Sequence, residues 1–157
     1  MNWFCESAGG RESIMPFISY EGKQIFYDVT GNGDPCVFLH GNTASSKMFE
    51  YLLPLYQDGM TVIRIDFLGN GQSERVGSFP EEMWIDQGHQ IVELCRSLNC
   101  GKVNLVGTSG GAYAAINAAL EKPQLFRYHV FDTGGHPLIA TRAEEIAGII
   151  MEFLCDE

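Results

Sequence analysis

One stretch of sequence decides the fold: Val103-Asn104-Leu105-Val106-Gly107-Thr108-Ser109-Gly110-Gly111. The apolar run before Gly107 predicts a strand buried on both faces, and the Ala-rich residues Ala112 to Leu120 predict a helix. Between them lies a G-x-S-x-G pattern, whose glycines let the backbone turn sharply without Cβ clashes. The pattern therefore predicts that Ser109 lies at the carboxyl edge of a sheet, above the N-terminus of a helix.

The flanking segments alternate between strand and helix patterns. Phe17 to Tyr20 and Gln24 to Val29 predict an antiparallel hairpin, and the turn cluster Gly31 to Pro35 precedes the buried strand Cys36 to Leu39. The same reasoning predicts strands at Thr61 to Ile65 and Tyr128 to Phe131, and helices at Thr43 to Tyr56, Pro80 to Leu98 and Thr141 to Leu154. Such alternation is typical of an α/β fold with a mainly parallel sheet. We expect a single domain over residues 15–157, preceded by a loose extension of residues 1–14.

The composition excludes several classes of protein. The chain has 157 residues, of which 45% are hydrophobic and 11% aromatic, so it is not a disordered acidic tail. With 10 Lys and Arg against 20 Asp and Glu, its formal charge of −10 argues against nucleic-acid or anionic-membrane partners. No apolar run is long enough to span a membrane, and the N-terminus lacks the pattern of a signal peptide. Five cysteines without C-x-x-C spacing predict reduced thiols in a cytoplasmic protein and no metal site.

A second motif follows the strand Cys36 to Leu39, namely His40-Gly41-Asn42. Acyl transfer needs two N–H donors that converge on the developing oxyanion. One donor would be Gly110, directly after the serine, and Asn42 is our candidate for the other. For His40 we favour a structural role in this loop over a catalytic one. A dinucleotide-binding loop is the rival interpretation of the glycines, but the G-x-G-x-x-G spacing is absent.

Together these motifs resemble the α/β-hydrolase family, and the resemblance extends over most of residues 16–127. It includes Asp66-Phe67-Leu68-Gly69-Asn70-Gly71-Gln72-Ser73, which is similar to the family's D-x-x-G-x-G-x-S loop, so we expect a structural role for Asp66. The implied fold is an α/β-hydrolase-like, mainly parallel sheet with an N-terminal antiparallel hairpin and helices on both faces. The implied activity is that of a serine hydrolase acting on a small-molecule acyl substrate without a metal or organic cofactor.

The general base that the resemblance implies is His136. The segment from Tyr128 through Gly134-Gly135-His136-Pro137 resembles the family's C-terminal strand and Gly-His loop, whereas His89 and His129 have no such setting. His136 follows Ser109 by only 27 residues, although the family places further strands, a lid and the catalytic acid between them. We interpret this as an internal deletion near residues 126–128.

The catalytic acid, the oligomeric state and the class of function remain open at this point. Asp132 is the nearby candidate for the missing acid, although we favour a turn-forming role, and Glu121 is expected to point elsewhere. After the deletion, the last strand is expected either to reach the place beside the Lys102 to Val106 strand by a right-handed crossover, or to leave an open sheet edge through which the chain could form a homodimer. The alternative to a serine hydrolase is a degenerate, non-catalytic binding or oligomerisation module.

Overall fold

The computed structural model describes residues 16–56, 58–127 and 142–155, and the fold is given for these ranges. The predicted hairpin is confirmed: β1 (Phe17–Tyr20) pairs antiparallel with the start of β2 (Lys23–Leu39). Two residues connect the strands, and both have positive φ, 49° at Glu21 and 78° at Gly22. This left-handed turn suits the hairpin because its backbone matches the right-handed twist of the paired strands.

Strand β2 reverses direction near Gly31, and β3 (Asp58–Ile65) pairs with both of the resulting arms, the first arm over residues 27–31 and the second arm over residues 32–39. The first arm runs antiparallel to β3, with Tyr27 opposite Ile65, and the second runs parallel, with Leu39 also opposite Ile65. The direction changes within the predicted turn cluster, where Gly31 and Gly33 have φ of 88° and 141°. The turn prediction is therefore confirmed, although the chain stays extended through it.

The second arm of β2 begins the parallel part of the sheet. Its residues pair with β4 (Val103–Gly107), Leu39 lying opposite Gly107, and β4 pairs with the two-residue β5 (Phe126–Arg127). The second arm, β3 and β4 therefore all end at one edge of the sheet, where the loops after Leu39, Ile65 and Gly107 meet. The predicted strand Tyr128 to Phe131 lies outside the described residues.

The helices confirm the predicted pattern, with one correction. Helices α2 (Met83–Ser97), α3 (Gly110–Glu121) and α4 (Ala143–Cys155) occur close to their predicted bounds. The segment predicted as helical over Thr43 to Tyr56 is helical from Ser46 onwards, but as a 3-10 helix over Ser46–Leu52 followed by a single α-helical turn, α1 (Leu53–Tyr56). Pro54 has no N–H to donate into a longer α-helix.

Two apolar clusters cover the two faces of the sheet, as predicted. Alternate residues of the second arm of β2 serve different faces, since Val37 and Leu39 join one cluster and Cys36 and Phe38 the other. The first cluster includes α2 and α3 through Ile91, Leu94, Ala114 and Ala118. The second includes the 3-10 helix, α1 and α4 through Phe49, Leu52, Tyr56, Ile146 and Ile150.

Three cysteines lie in these cores as free thiols, Cys36, Cys95 and Cys100. Burial raises the pKa of Cys36 to about 12 and that of Cys100 to about 11, so both are protonated at neutral pH. The prediction of reduced, buried thiols is confirmed for these three. Among the helices of the described ranges, none has the length and apolar character needed to cross a membrane.

The turn inside β2 provides a stability test. A Cβ placed on Gly33 would lie 2.3 Å from the carbonyl oxygen of Gly59, and Thr61 Oγ1 already clamps Gly33 by bonds of 3.1 and 2.8 Å. Since φ is also unfavourable for alanine, we expect Gly33→Ala to lower the free energy of unfolding by about 2 kcal/mol or more. Urea denaturation measures the change.

The matched control is Gly77→Ala, because a Cβ at Gly77 meets no atom within 4 Å. Equal stabilities of the two variants would contradict the described turn.

Candidate active site

Ser109 occupies a sharp turn between β4 and α3. Its φ of 53° and ψ of −124° are rare for a residue with a side chain, and it is the N-cap of α3. A Cβ placed on Gly107 would lie 2.6 Å from the carbonyl oxygen of Gly111, so only glycine fits there. The turn therefore has the tight geometry that the G-x-S-x-G pattern predicts.

The turn packs against the end of β2. A Cβ on Gly111 would lie 2.2 Å from the carbonyl oxygen of Leu39, and the Thr108 N–H donates to that same oxygen at 3.2 Å. A Cβ on Gly41 would lie 3.1 Å from Ser109 Cβ and 3.6 Å from its Oγ. The loop after Leu39 thus contacts the serine directly, as two converging N–H donors would require.

The two candidate oxyanion donors, Gly110 N–H and Asn42 N–H, lack an acceptor among the residues that the structure describes. Gly110 is the first residue of α3, so its N–H has no acceptor within the helix. Within residues 16–56, 58–127 and 142–155, neither this N–H nor that of Asn42 donates a hydrogen bond. The partial positive charge at the helix N-terminus favours negative charge at the same place. The geometry is compatible with an oxyanion hole formed by Asn42 and Gly110.

The Asn42 side chain is oriented by a residue that the sequence did not single out as functional. Trp84 Nε1 donates to Asn42 Oδ1 at 3.3 Å, and a Cβ on Gly110 would lie 2.2 Å from the same oxygen. An indole N–H can only donate, so the amide oxygen faces Trp84 and the amide NH₂ faces away. Helical periodicity identified Trp84 only as an apolar position, because nothing local indicates a partner 42 residues away.

His40 is structural, as predicted. Its Nδ1 lies 2.7 Å from the Gly41 carbonyl oxygen, and its Nε2 accepts from the Phe67 N–H at 3.0 Å. The ring is buried with both nitrogens engaged, which leaves a neutral tautomer protonated on Nδ1. Burial lowers the pKa of His40. The histidine joins the loop after β2 to the loop after β3 and is not available as a general base.

Asp66 is structural as well. Its Oδ1 accepts from the Ser46 N–H at 2.6 Å and its Oδ2 from the Gln72 N–H at 2.7 Å. A Cβ on Gly71 would lie 1.9 Å from Oδ2, so glycine is required for the loop to close round the carboxylate. Ser73 Oγ completes the loop by donating to the Asp66 carbonyl and accepting from Phe26. Both carboxylate oxygens bind backbone N–H groups, which fits the structural role predicted for Asp66.

Of the remaining histidines, His89 is described by the structure, whereas His129 and His136 lie outside the described residues. His89 is half exposed, and its Nε2 lies 3.6 Å from Glu121 Oε2 on the neighbouring helix. His136, Asp132 and His129 lie outside the described residues, and their proximity to Ser109 stays a prediction. No cluster of three or more His, Cys, Asp or Glu side chains suited to a metal occurs in the part of the chain that the structure describes.

Comparison with known proteins places this arrangement in a family. A family model described as the alpha/beta hydrolase fold matches residues 34–148, well over half of the chain. The chain belongs to the α/β-hydrolase family. It is 32% identical over 128 residues to a proline iminopeptidase from Clostridium botulinum, covering 78% of this chain and 43% of that protein. It is 36% identical over 97 residues to 2-(acetamidomethylene)succinate hydrolase from Mesorhizobium japonicum, covering 62% and 34% respectively.

Solved structures agree with this assignment. The esterase EaEST from Exiguobacterium antarcticum superposes with a TM-score of 0.64 at 28% identity, covering 70% of this α/β-hydrolase chain and 41% of the esterase. The chain thus spans less than half the length of the curated relatives and solved structure named here. The predicted fold class and family are confirmed.

The burial of His40 predicts a pH dependence of stability. Its folded-state pKa is lowered, so the unfolded chain binds the proton more readily. The stabilisation is complete above the unfolded pKa of about 6.5 and is lost as the pH falls towards the folded pKa, by at most about 1.4 kcal/mol per pH unit. We expect His40→Gln to be less stable than wild type at about pH 7.5 and to have a flatter dependence down to about pH 5.5.

Urea denaturation across this range measures both effects, with His89→Gln as the control because His89 is half exposed. Parallel pH dependences for wild type and His40→Gln would contradict the assigned role of His40.

Proposed function

We propose that the chain is a serine hydrolase that cleaves an ester, thioester or amide of a small molecule through an acyl-enzyme on Ser109, with His136 as base. One observation carries the proposal. Ser109 has a positive φ at a strand-to-helix turn that packs against Gly41, and within the described residues the N–H groups of the neighbouring Asn42 and Gly110 have no backbone acceptor. Backbone strain of this kind at a non-glycine residue is concentrated at functional sites, where the surrounding structure holds it in place.

The proposed reaction has two stages. Ser109 Oγ attacks the substrate carbonyl carbon while His136 accepts its proton, and the N–H groups of Asn42 and Gly110 bind the resulting oxyanion. Collapse of the tetrahedral intermediate breaks the bond to the alcohol, thiol or amine, which leaves with the proton from His136. Water then attacks the acyl-enzyme with His136 as base again, and release of the acid restores Ser109.

The catalytic acid is the unassigned part of this scheme. Asp66 is engaged by two backbone N–H groups in a structural role, and Asp132 remains the candidate from sequence. A histidine without its carboxylate partner still transfers protons, at a rate lowered by about 10⁴ when the wrong tautomer dominates. We therefore expect slow turnover but chemically competent acylation.

The relatives support hydrolysis of an acyl bond in general terms. Their names denote a peptidase and a hydrolase, and the similar solved structure is an esterase. The matched part of this chain covers only 43%, 34% and 41% of these three proteins, so the bond type and the pocket that selects the substrate belong to the proposal.

A fluorophosphonate probe tests the proposal because it reacts only with an activated serine and stays attached to it. We expect intact-mass spectrometry to show one phosphonyl group per chain on wild type, none on Ser109→Ala, and at least tenfold slower labelling of His136→Ala. The measurement needs acylation alone and does not depend on turnover.

Two variants serve as matched controls, Ser97→Ala on the exposed end of α2 and His89→Ala, and both should label like wild type. A folded wild-type protein that remains unlabelled would contradict the serine hydrolase and favour the non-catalytic binding module.

A further inference from the structure

Two aromatic side chains stack beside the serine turn. Trp84 lies in the first turn of α2 and Tyr113 in the first turn of α3, with ring centroids 5.0 Å apart and planes inclined by 23°. Neither ring is buried: Trp84 is 39% exposed and Tyr113 is 58% exposed. Large aromatic side chains ordinarily contribute to cores, so a stacked pair left open to solvent leaves aromatic surface available for a further ring.

Trp84 contacts both residues that supply the proposed oxyanion donors. Trp84 Nε1 donates to Asn42 Oδ1 at 3.3 Å, and a Cβ on Gly110 would lie 3.0 Å from the same nitrogen. Tyr113 follows Gly110 by three residues on α3 and therefore lies on the same side of the helix. The indole thus contacts both residues that flank the reacting centre in the proposed mechanism.

Contacts between α2 and α3 elsewhere account for the packing of these helices without the pair. A Cβ on Gly88 would lie 3.0 Å from Ala118 N, so the two helices approach closely at the middle of α2, and Ile91, Leu94, Ala114 and Ala118 are buried together in one core. An exposed stack at the end of this interface adds little to it. A role in binding explains why both rings remain accessible.

The charges around the pair disfavour an anionic ligand. Glu81 and Glu82 are exposed directly before α2, and the chain carries a formal charge of −10, so an anionic group would be repelled. The nearest acid within α2, Asp86, is engaged by Tyr20 Oη at 2.9 Å and by Gln90 Nε2 at 2.7 Å. What remains for a ligand is π surface, which recognises planar rings by offset or edge contact.

We propose that Trp84 and Tyr113 form a stacking platform that holds an aromatic ring of the substrate beside Ser109. The substrate class is therefore an ester, thioester or amide that carries an aryl or arylalkyl group and no anionic group next to it. The inference rests on the proposed function for the identity of the reacting bond, while the recognition of the ring rests on the pair alone.

Fluorescence tests the platform without catalysis. Trp3→Phe leaves Trp84 as the only tryptophan, and Ser109→Ala removes the nucleophile. In this double variant we expect phenylacetamide to perturb the Trp84 emission and to bind at least about fivefold more tightly than cyclohexylacetamide, which has the same amide but a saturated ring.

Three further substitutions in the same background separate stacking from general structure. Tyr113→Leu should abolish the preference for the aromatic ring, whereas Tyr113→Phe should keep it because the ring remains. Tyr51→Leu is the matched control, an exposed tyrosine in the 3-10 helix on the other face of the sheet, and should leave the preference unchanged.

The result is read together with fluorophosphonate labelling of wild type. A ring preference together with labelling of Ser109 supports both proposals, and a preference without labelling supports ring recognition and overturns the hydrolase. Labelling without any ring preference overturns the platform and leaves the hydrolase standing. The platform is likewise overturned if Tyr113→Leu and Tyr51→Leu have the same effect on the preference.

Discussion

The close approach of the Gly107–Gly111 turn to the end of β2 is the constraint on which the site depends. A Cβ placed on Gly111 would lie 2.2 Å from the Leu39 carbonyl oxygen, so any side chain at this position would push the turn away from the strand. The same approach sets Gly41 against Ser109 and the Asn42 side chain against Gly110. If the turn moved away from the strand by about one ångström, the proposed oxyanion donors would no longer be correctly placed.

The sheet and its loops explain why this approach is stable. Because β2 turns back around β3, Leu39 and Ile65 pair with each other and end at the same edge. His40 then bonds to the backbone of both following loops, at Gly41 and at Phe67, and the Asp66 carboxylate organises the second loop from within. The buried polar groups nearest the serine thus act on the backbone that positions it and take no part in the proposed chemistry.

The sequence predicts those parts of the fold that local patterns encode. The hairpin at Glu21-Gly22 follows from turn chemistry, the strands from apolar runs, and the turn at Ser109 from its glycines. The helical pattern over Thr43 to Tyr56 did not indicate that Ser46–Leu52 is a 3-10 helix, because its packing on Phe38 is a contact between distant residues: Phe38 meets Phe49 and Tyr56 at centroid distances of 5.3 and 5.1 Å. The contact between Trp84 and Asn42 was missed because it joins elements far apart in the chain, and no local pattern carries such a pairing.

The central claim is that the strained serine of this turn is a working nucleophile. Peptide mapping by tandem mass spectrometry after fluorophosphonate treatment tests this, since it identifies the residue that carries the phosphonyl group and not only the mass gained by the chain. We expect the phosphonyl group on Ser109 and on no other serine. Modification spread over other residues, or a folded protein without modification at Ser109, would contradict it.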